Sequence, residues 1–377
     1  MLNRELGNTI SQELKQSDKV IIIFGARQVG KTTLSNKILN EINKKTIKIN
    51  GDNLRQIEVF EKVDLQGMLE LIDNAEVLFI DEAQNIINIG KAIKLLHDEK
   101  PEIKIILTGS SSFEIANKTQ ESLAGRKSTF TLYPLSIQEI RKEKSIYEIK
   151  ENLHNILKYG LYPEVFSIQS ISAKEKALLE LTDAFLFKDI LQLSNIKNPR
   201  VLRDLLKLLA LQIGQTVSIS KLSNALNVAN DTILNYIDLL EKSYVIYRLR
   251  GYSKNLSKEI SKMDKIFFYD VGVRNAVLNQ FMEINERSDI GKIWENFIIS
   301  ERIKSNSNNE INCEYYFWRT YTGAEIDLIE ENGRQTNAFE IKYNNKLKSA
   351  PSTWTQTYPK SEFFTINTQN WTDFVLK

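Results

Sequence analysis

The stretch that decides the fold lies between residues 19 and 33 and reads "KVIIIFGARQVGKTT". An apolar run of buried-strand length comes first, a short loop with two glycines follows, and a helical pattern begins at the lysine. Gly25 and Gly30 allow a tight backbone curl, so that N–H groups at the amino terminus of the helix point into the loop. Such a loop cradles phosphate groups. We therefore predict that this stretch is a nucleotide-binding phosphate loop.

Two side chains at the end of this loop have separate predicted roles. Lys31 neutralises the β- and γ-phosphate oxygens, and the hydroxyl of Thr32 is a ligand of Mg²⁺. The other members of the loop contact the phosphates through backbone N–H groups. The predicted nucleotide-binding residues are consecutive: Gly25, Ala26, Arg27, Gln28, Val29, Gly30, Lys31, Thr32 and Thr33.

Two carboxylates follow the apolar run of "VLFIDEAQ" (residues 77–84). They stand just beyond the carboxyl end of a predicted buried strand, which is where ligands lie in open α/β sheets. Asp81 is predicted to hold Mg²⁺, mostly through water, and Glu82 to polarise the attacking water as a general base. In the alternative interpretation, both acids merely begin a loop.

Hydroxyl groups end another predicted strand, "KIILTGSSS" (residues 104–112). Ser110, with Thr108 as the second choice, is predicted to touch the γ-phosphate or the lytic water. The alternative is that these hydroxyls only cap the helix that follows, because serine and threonine are common at helix amino termini.

Apolar runs continue to alternate with amphipathic segments through "KTIKIN" (45–50) and "STFTLYPL" (128–135). This alternation predicts an α/β domain with a parallel sheet over residues 1–145. Long helical stretches then predict a helical lid or linker region over residues 146–214. The order helix, turn, longer helix and strand predicts a winged helix-turn-helix over residues 215–264.

The phosphate loop, the acid pair and the hydroxyl cluster, in this order, resemble those of an AAA+ (P-loop) ATPase module. The resemblance extends through "SLAGRKSTFTLYPLSIQEI" (122–140), "YGLYPEVF" (159–166) and "FLFKDIL" (185–191) to a large prokaryotic family of AAA+ ATPases with a poorly characterised carboxyl-terminal domain. It covers nearly the whole chain. It implies that the nucleotide is ATP and that the activity is ATP hydrolysis.

The same resemblance implies a role for one arginine. Arg126, in "LAGR", stands where such proteins can carry an arginine finger, which stabilises transition-state charge in the site of a neighbouring subunit. A homo-oligomer is then required. The alternative is a structural arginine that pairs with a local acid. A second-sensor arginine has no clear counterpart, and Arg200 and Arg203 are the candidates.

The predicted winged helix combines an acidic helix with a basic wing. The helix at residues 231–243 carries three acids, whereas the stretch at residues 248–265 is rich in cations. The cations of this predicted wing are Arg248, Arg250, Lys254, Lys258, Lys262 and Lys265. A basic wing of this kind tracks a phosphate backbone, so DNA is a predicted partner. The alternatives are a solvated charged face and a surface for a protein partner.

A charged hairpin closes the chain, with the sequence "AEIDLIEENGRQTNAFEIK" (residues 324–342). Residues two apart on a strand share a face, so Glu340 and Lys342 lie on one side and Asp327 on the neighbouring strand can join them. Two carboxylates suit a hard divalent cation, and the lysine can position water beside a scissile phosphate. The alternative is a half-exposed sheet on which Glu–Lys pairs only solubilise the surface.

This hairpin resembles the core of the PD-(D/E)XK nucleases, which implies a restriction-endonuclease-like α/β domain over residues 265–377. In that family a glutamate on the preceding helix often joins the site, and Glu295 in "KIWENFIISE" stands at the matching position. The resemblance implies that Asp327, Glu340 and Lys342 are catalytic and that Glu295 is a further metal ligand. Arg319 is a candidate for holding a phosphate.

The amino-acid composition indicates a folded, intracellular type of protein. The chain of 377 residues is 42% hydrophobic and 26% charged, with a net charge of +2 and a single cysteine, which fits a folded protein of a reducing compartment. No apolar run has the length of a membrane span, so we predict a cytoplasmic protein. The predicted function is a Mg²⁺-dependent ATPase that controls a nuclease-like domain acting on DNA. The alternative is a non-nucleolytic regulator that recruits a protein partner.

Overall fold

The computed structural model describes residues 2–110, 123–184, 196, 198–253, 264–333 and 335–376. The chain divides into two compact units, which we consider separately. The amino-terminal unit comprises residues 1–134 and 242–244, and the carboxyl-terminal unit comprises residues 135–241 and 245–377. Part of the predicted wing, including Lys254, Lys258 and Lys262, lies outside the described residues, as does the stretch 185–191.

Helices and parallel strands alternate in the amino-terminal unit, as the sequence predicts. Its elements are α1 (Leu6–Gln16), β1 (Val20–Phe24), α2 (Lys31–Ile42), β2 (Thr46–Asn50), α3 (Leu54–Glu61), α4 (Leu65–Ile72), β3 (Val77–Asp81), α5 (Ile89–Glu99), β4 (Lys104–Gly109) and β5 (Lys127–Thr131). The strands form one sheet in the order β2-β3-β4-β1-β5, and every adjacent pair is parallel. The predicted parallel α/β core is therefore confirmed.

Burial explains why these segments form this sheet. All five residues of β1 are buried, because helices cover a parallel sheet on both faces. Helix α5 turns Ile89, Ala92, Ile93 and Leu96 into the core at the spacing of one helical face. The strand order sets the neighbours of the functional residues, because β4 lies between β1 and β3.

Short helices begin the carboxyl-terminal unit, and a mixed sheet closes it. The helices are α6 (Ile137–Arg141), α7 (Ile146–Glu151), α8 (Leu153–Tyr159), α9 (Pro163–Ser167), α10 (Ile171–Ala184), α11 (Pro199–Leu211), α12 (Ile219–Leu226), α13 (Asn230–Lys242), α14 (Val271–Val277), α15 (Ile290–Asn308), α16 (Ser352–Thr357) and α17 (Trp371–Val375). The strands are β6 (Ile246–Gly251), β7 (Lys265–Phe268), β8 (Glu314–Arg319), β9 (Glu325–Asn332), β10 (Gln335–Ile341) and β11 (Glu362–Ile366). The last residue of α13, Lys242, is assigned to the amino-terminal unit.

One sheet contains both the predicted wing strands and the charged hairpin. Its order is β11-β10-β9-β8-β6-β7, with β6 antiparallel to β7 and parallel to β8. The pairs β8–β9 and β9–β10 are antiparallel, whereas β10–β11 is parallel. The predicted domain boundary between residues 264 and 265 thus falls beside a strand that pairs with β6. The winged helix and the nuclease-like fold remain predictions.

A buried carboxylate organises the stretch "YGLYPEVF" within the carboxyl-terminal unit. Asp270 accepts hydrogen bonds from the backbone N–H of Leu161 (2.7 Å) and of Val273 (3.1 Å), and the second bond caps α14. A Cβ at Gly160 would lie 2.0 Å from a carboxylate oxygen of Asp270, and the φ of Gly160 is +70°. Only glycine fits there, which accounts for the glycine of this motif.

No helix among the described residues is both long and apolar enough to cross a membrane.

Candidate active site

The phosphate loop joins β1 to α2 and contains two glycines with positive φ. Gly25 has a φ of +150°, and a Cβ there would lie 2.1 Å from the carbonyl oxygen of Leu132. Gly30 has a φ of +99° and precedes α2 without a capping side chain. The first N–H groups of α2 therefore keep their ability to donate to an anion.

Lys31 lies inside the curl of this loop. Its side chain is buried, and Nζ donates to the carbonyl oxygens of Gly25 and Ala26, both at 2.9 Å. The loop backbone thus holds the ammonium group at the place where the sequence predicts phosphate oxygens. A positive charge and the amino terminus of a helix together favour anion binding.

Asp81 connects three secondary structure elements at the carboxyl edge of the sheet. Its Oδ2 accepts a hydrogen bond of 2.8 Å from the Thr32 hydroxyl on α2, and its Oδ1 accepts from the Thr108 hydroxyl on β4. These contacts are possible because β4 separates β1 from β3 in the sheet. They favour the Mg²⁺ interpretation of Asp81 over an acid that merely begins a loop.

Thr108 has a different partner from the one that its sequence motif suggested. It is fully buried, and besides donating to Asp81 its hydroxyl accepts a bond of 3.3 Å from the backbone N–H of Glu82. The hydroxyl therefore orients the carboxylate of Asp81 and holds the backbone at Glu82. The sequence prediction named Thr108 as a second choice for touching the γ-phosphate and missed this contact.

Gln84 is a functional candidate that the sequence prediction missed. Its amide Nε2 donates to Oε2 of Glu82 and, at 3.2 Å, to Oγ of Ser110. Both Gln84 and Ser110 are buried, and Glu82 has a left-handed φ of +50°. A polar residue two positions after the acid pair was the signal. Ser110 thus lies in the site, while residues 111–122, which the helix-cap alternative concerns, lie outside the described residues.

Arg126 lies at the opposite end of the strands from the phosphate loop. It directly precedes β5, whose first residue Lys127 pairs with Val20 at the start of β1, whereas the phosphate loop follows the end of β1. Its Nε lies 3.0 Å from Oδ1 of Asp98, and the two side chains are 43% and 42% exposed. This ion pair matches the structural alternative. The arginine finger stays a prediction that only a second subunit can satisfy.

The second-sensor candidates belong to the carboxyl-terminal unit. Arg200 is 90% exposed and lies 3.8 Å from the carboxylate of Asp204, one turn later in α11. Arg203 follows on the same helix. An exposed ion pair of this kind contributes little to stability. The second-sensor role of Arg200 or Arg203 stays a prediction.

The hairpin brings together three predicted residues of the second site. Oδ2 of Asp327 accepts from the backbone N–H of Ile341 at 2.8 Å and lies 3.5 Å from Nζ of Lys342. The same ammonium lies 2.7 Å from Oε1 of Glu340. Asp327 is only 8% exposed and Glu340 only 2%. The alternative of a solvated sheet face is therefore wrong for these two acids.

Lys265 contradicts its assignment to a DNA-facing wing. It is 1% exposed, and its Nζ lies 2.5 Å from Oε1 of Glu325 and 3.3 Å from Oε1 of Glu295. The predicted exposure was wrong because Lys265 is the first residue of β7, an edge strand of the sheet, and its side chain is buried against acids of the same unit. Arg248, another predicted wing cation, pairs with Glu241 on α13.

The predicted metal ligand Glu295 faces this lysine. Burial raises the pKa of Glu295 above its usual value, and the positive charge of Lys265 opposes that shift. Lys348, which the sequence prediction missed, lies 2.6 Å from Oε1 of Glu340. No group of three or more His, Cys, Asp or Glu side chains in the described part of the chain is arranged to hold a metal ion. Three carboxylates do not form the predicted metal site in this arrangement.

Comparison with known sequences divides the chain in three. A family model described as an AAA domain matches residues 17–141. Two further models, each described as a domain of unknown function, match residues 150–283 and 290–363.

Similar proteins from three organisms are each described as uncharacterized. An uncharacterized protein of Methanocaldococcus jannaschii is 26% identical over 331 residues, covering 83% of this chain and 72% of that protein. One from Mycobacterium tuberculosis is 26% identical over 327 residues, covering 86% and 70%. One from Haemophilus influenzae is 26% identical over 377 residues, covering 91% and 88%.

Among solved structures, the Walker-type ATPase PABY2304 of Pyrococcus abyssi has a similar fold. It is 16% identical with a TM-score of 0.51, covering 74% of this chain and 96% of that chain. The identity is too low to transfer more than the fold. The AAA-domain match, this fold and the geometry around Lys31 and Asp81 together support a P-loop ATPase domain of the AAA type over residues 17–141.

Proposed function

We propose that the protein is a Mg²⁺-dependent ATPase whose nucleotide state controls a nuclease-like domain over residues 265–377, which acts on DNA. The observation that carries the ATPase part is the 2.8 Å hydrogen bond between the Thr32 hydroxyl and Asp81. It joins the helix that follows the phosphate loop to the acid at the end of β3. A hydroxyl and a carboxylate are oxygen donors of the kind that Mg²⁺ prefers, so these residues fit the ion.

Each residue around the phosphate loop has one task in this proposal. The loop N–H groups and Lys31 hold the phosphates, and Thr32 and Asp81 hold Mg²⁺, directly or through water. When bound, the ion neutralises charge on the β- and γ-phosphate oxygens. Thr108 keeps the carboxylate of Asp81 turned toward Thr32.

Glu82 acts on the nucleophile. It accepts a proton from water as the water oxygen bonds to the γ-phosphorus and the bond from that phosphorus to the ADP oxygen breaks. Gln84 donates to Oε2 of Glu82 and so fixes the direction of the carboxylate, and it ties Ser110 to the same place. Arg126 of a neighbouring subunit supplies positive charge at the transition state, which makes the active form an oligomer.

The nuclease-like part rests on the contacts of Lys342 with both Asp327 and Glu340. Burial alone would lower the pKa of Lys342, but the carboxylates of Asp327 and Glu340 raise it above its usual value. The lysine therefore stays protonated and acts by orienting water or a phosphate oxygen, not by accepting a proton. Asp327 and Glu340 fix its position.

One observation favours the alternative, a non-nucleolytic regulator that recruits a protein partner. Lys265 and Lys348 already pair with acids of the second site. A cluster that is neutralised by its own side chains has less need of a metal ion. In this alternative ATP still drives the switch, and the carboxyl-terminal unit binds without cutting.

Incubation with supercoiled DNA separates these two functions. Purified protein is mixed with plasmid and Mg²⁺ or Mn²⁺, with and without ATP, and nicking is read on a gel. The proposal expects ATP-dependent nicking that disappears in Lys342→Ala and in Asp327→Asn. The matched control Lys346→Ala changes an exposed lysine of the same segment and should nick normally. Equal nicking by all variants would assign the cleavage to a contaminant, and no nicking by any of them would favour the regulator.

A further inference from the structure

The second site is a cluster of four acids and four cations, all in the carboxyl-terminal unit. Its acids are Glu295, Glu325, Asp327 and Glu340, and its cations are Lys265, Arg319, Lys342 and Lys348. We call this set the charge cluster. The carboxylates of an empty metal site usually lack cationic side chains as partners, because their uncompensated negative charge attracts the metal ion.

Lys265 is the most enclosed cation of the charge cluster. Its side chain is buried, Nζ lies 2.5 Å from Glu325 and 3.3 Å from Glu295, and the ring of Phe317 lies 5.3 Å away. The two carboxylates offset the cost of burying this ammonium group.

Glu295 is committed to this lysine. Its Oε1 is the atom that contacts Lys265, and a Cβ on Gly214 would lie 3.0 Å from its Oε2. The backbone at Gly214 therefore limits the room on the other side of the carboxylate. Glu295 comes from α15, whereas Asp327 and Glu340 come from β9 and β10. The helix thus contributes an acid that a lysine of the same chain already contacts.

Asp327 and Glu340 keep unused capacity. Both oxygen contacts given above for Asp327 involve Oδ2, and both lysines near Glu340 approach Oε1. Oε2 of Glu340 is buried and has no hydrogen-bond partner among the residues that the structure describes. An orphaned buried carboxylate oxygen is costly, and it is an atom that a bound ion would satisfy.

We propose that Lys265 is a built-in cation that takes the place of a divalent metal ion between Glu295 and Glu325 and so withholds Glu295 from Asp327 and Glu340. The inference rests on the proposed function only in that both concern the same cluster. It makes Lys265 the residue that sets metal affinity. The native protein then binds Mn²⁺ through two carboxylates, and removal of the lysine releases a third.

Calorimetric titration of the full-length chain with Mn²⁺, without nucleotide, tests this role. All proteins carry Asp81→Asn, which removes the proposed metal-binding acid of the nucleotide site. Lys265→Met should bind Mn²⁺ at least about tenfold more tightly than the parent, the scale on which a ligand or its support alters metal affinity. The matched control is Lys304→Met, which removes another fully buried lysine that pairs with Glu301. It should leave the affinity for Mn²⁺ unchanged.

A double variant identifies the released ligand. Lys265→Met with Glu295→Gln removes both the lysine and the carboxyl group that it contacts. Its affinity for Mn²⁺ should return to the parent value. A gain that persists in the double variant, or no gain in Lys265→Met, would overturn the proposal, since Glu295 would then not be the withheld ligand.

The removal of a buried cation can also prevent folding. In that case circular dichroism measures the Mn²⁺ concentration that restores the native signal. Lys265→Met should require less Mn²⁺ than the double variant, and a failure of Mn²⁺ to restore the fold at any concentration contradicts the proposal. Failure of the proposed function is a separate result, because it is measured as ATP turnover or DNA nicking and not as Mn²⁺ affinity.

Discussion

Two acid pairs of this protein differ in what donates to them. Asp81 and Glu82 accept from neutral groups, namely the hydroxyls of Thr32 and Thr108 and the amide of Gln84. Asp327 and Glu340 are approached by ammonium groups, and Asp327 also accepts from the backbone N–H of Ile341. Neutral donors orient a carboxylate without cancelling its charge, whereas an ammonium group does both.

This difference has a functional consequence. A site that must recruit Mg²⁺ with its nucleotide benefits from carboxylates that are oriented and still negative. In a site whose acids are paired with lysines of the same chain, less negative charge remains to attract an external ion. The affinity of such a site for metal is therefore lower. Under the proposed function, the phosphate-loop site is of the first kind and the charge cluster is of the second.

Glu82 provides the largest expected effect at the phosphate-loop site. Glu82→Gln keeps the shape but loses the base, so ATP hydrolysis should slow by about 10²- to 10⁴-fold while nucleotide binding persists. Lys31→Ala should instead weaken nucleotide binding. Turnover is measured by phosphate release and binding by a fluorescent nucleotide. The control Glu102→Gln, at an exposed acid of the same unit, should behave as wild type, and unchanged hydrolysis by Glu82→Gln would remove the proposed base.

Thr108 tests whether neutral donors orient the acids. Thr108→Val removes a buried hydroxyl that donates to Asp81 while keeping the size of the side chain. The Mg²⁺ concentration needed for half-maximal hydrolysis should rise by about 10- to 100-fold, as for other lost supports of a metal ligand. Thr129→Val, at an exposed position of β5, serves as the control. Equal Mg²⁺ requirements for both variants would leave Thr108 with a packing role alone.

Arg126 tests whether the first site needs a second subunit. Neither Arg126→Ala nor Glu82→Gln alone should hydrolyse ATP well, but a mixture should recover part of the turnover. In a random one-to-one mixture roughly a quarter of the sites contain both intact groups. Mixing followed by phosphate release measures this recovery. Its absence, together with turnover per subunit that does not depend on protein concentration, would favour the pair with Asp98.

Glu295 gives the smallest expected effect and sharpens the view of the charge cluster. Burial raises its pKa from the usual value of about 4.5 to about 8, so the folded protein keeps a proton that the unfolded chain releases. Stability should then fall as pH rises from about 4.5 to 8, because the unfolded chain ionises freely over this range whereas the buried carboxyl does not. Glu295→Gln should flatten this decline in the unfolding temperature. An equally steep decline in the variant would assign it to other groups.

Local sequence sufficed for the parts that depend on neighbours along the chain. The run of β1, the two glycines and Lys31 specify a strand, a curled loop and a helix, since the strand period, positive φ values and helix initiation are local properties. The hairpin with Asp327 and Glu340 also follows from alternation and a turn. These features were predicted, and the structure places them as expected.

The tertiary structure decided which side chains meet between distant segments. Thr108 reaches Asp81 because β4 lies beside β3, and no pattern within either strand reveals that order. Lys265 was predicted to face DNA from its basic neighbours in sequence, yet the fold buries it against Glu295 and Glu325, which come from another helix and another strand. The charged residues of a segment can be counted from the sequence alone. The burial and pairing of one ammonium group depend on packing in three dimensions.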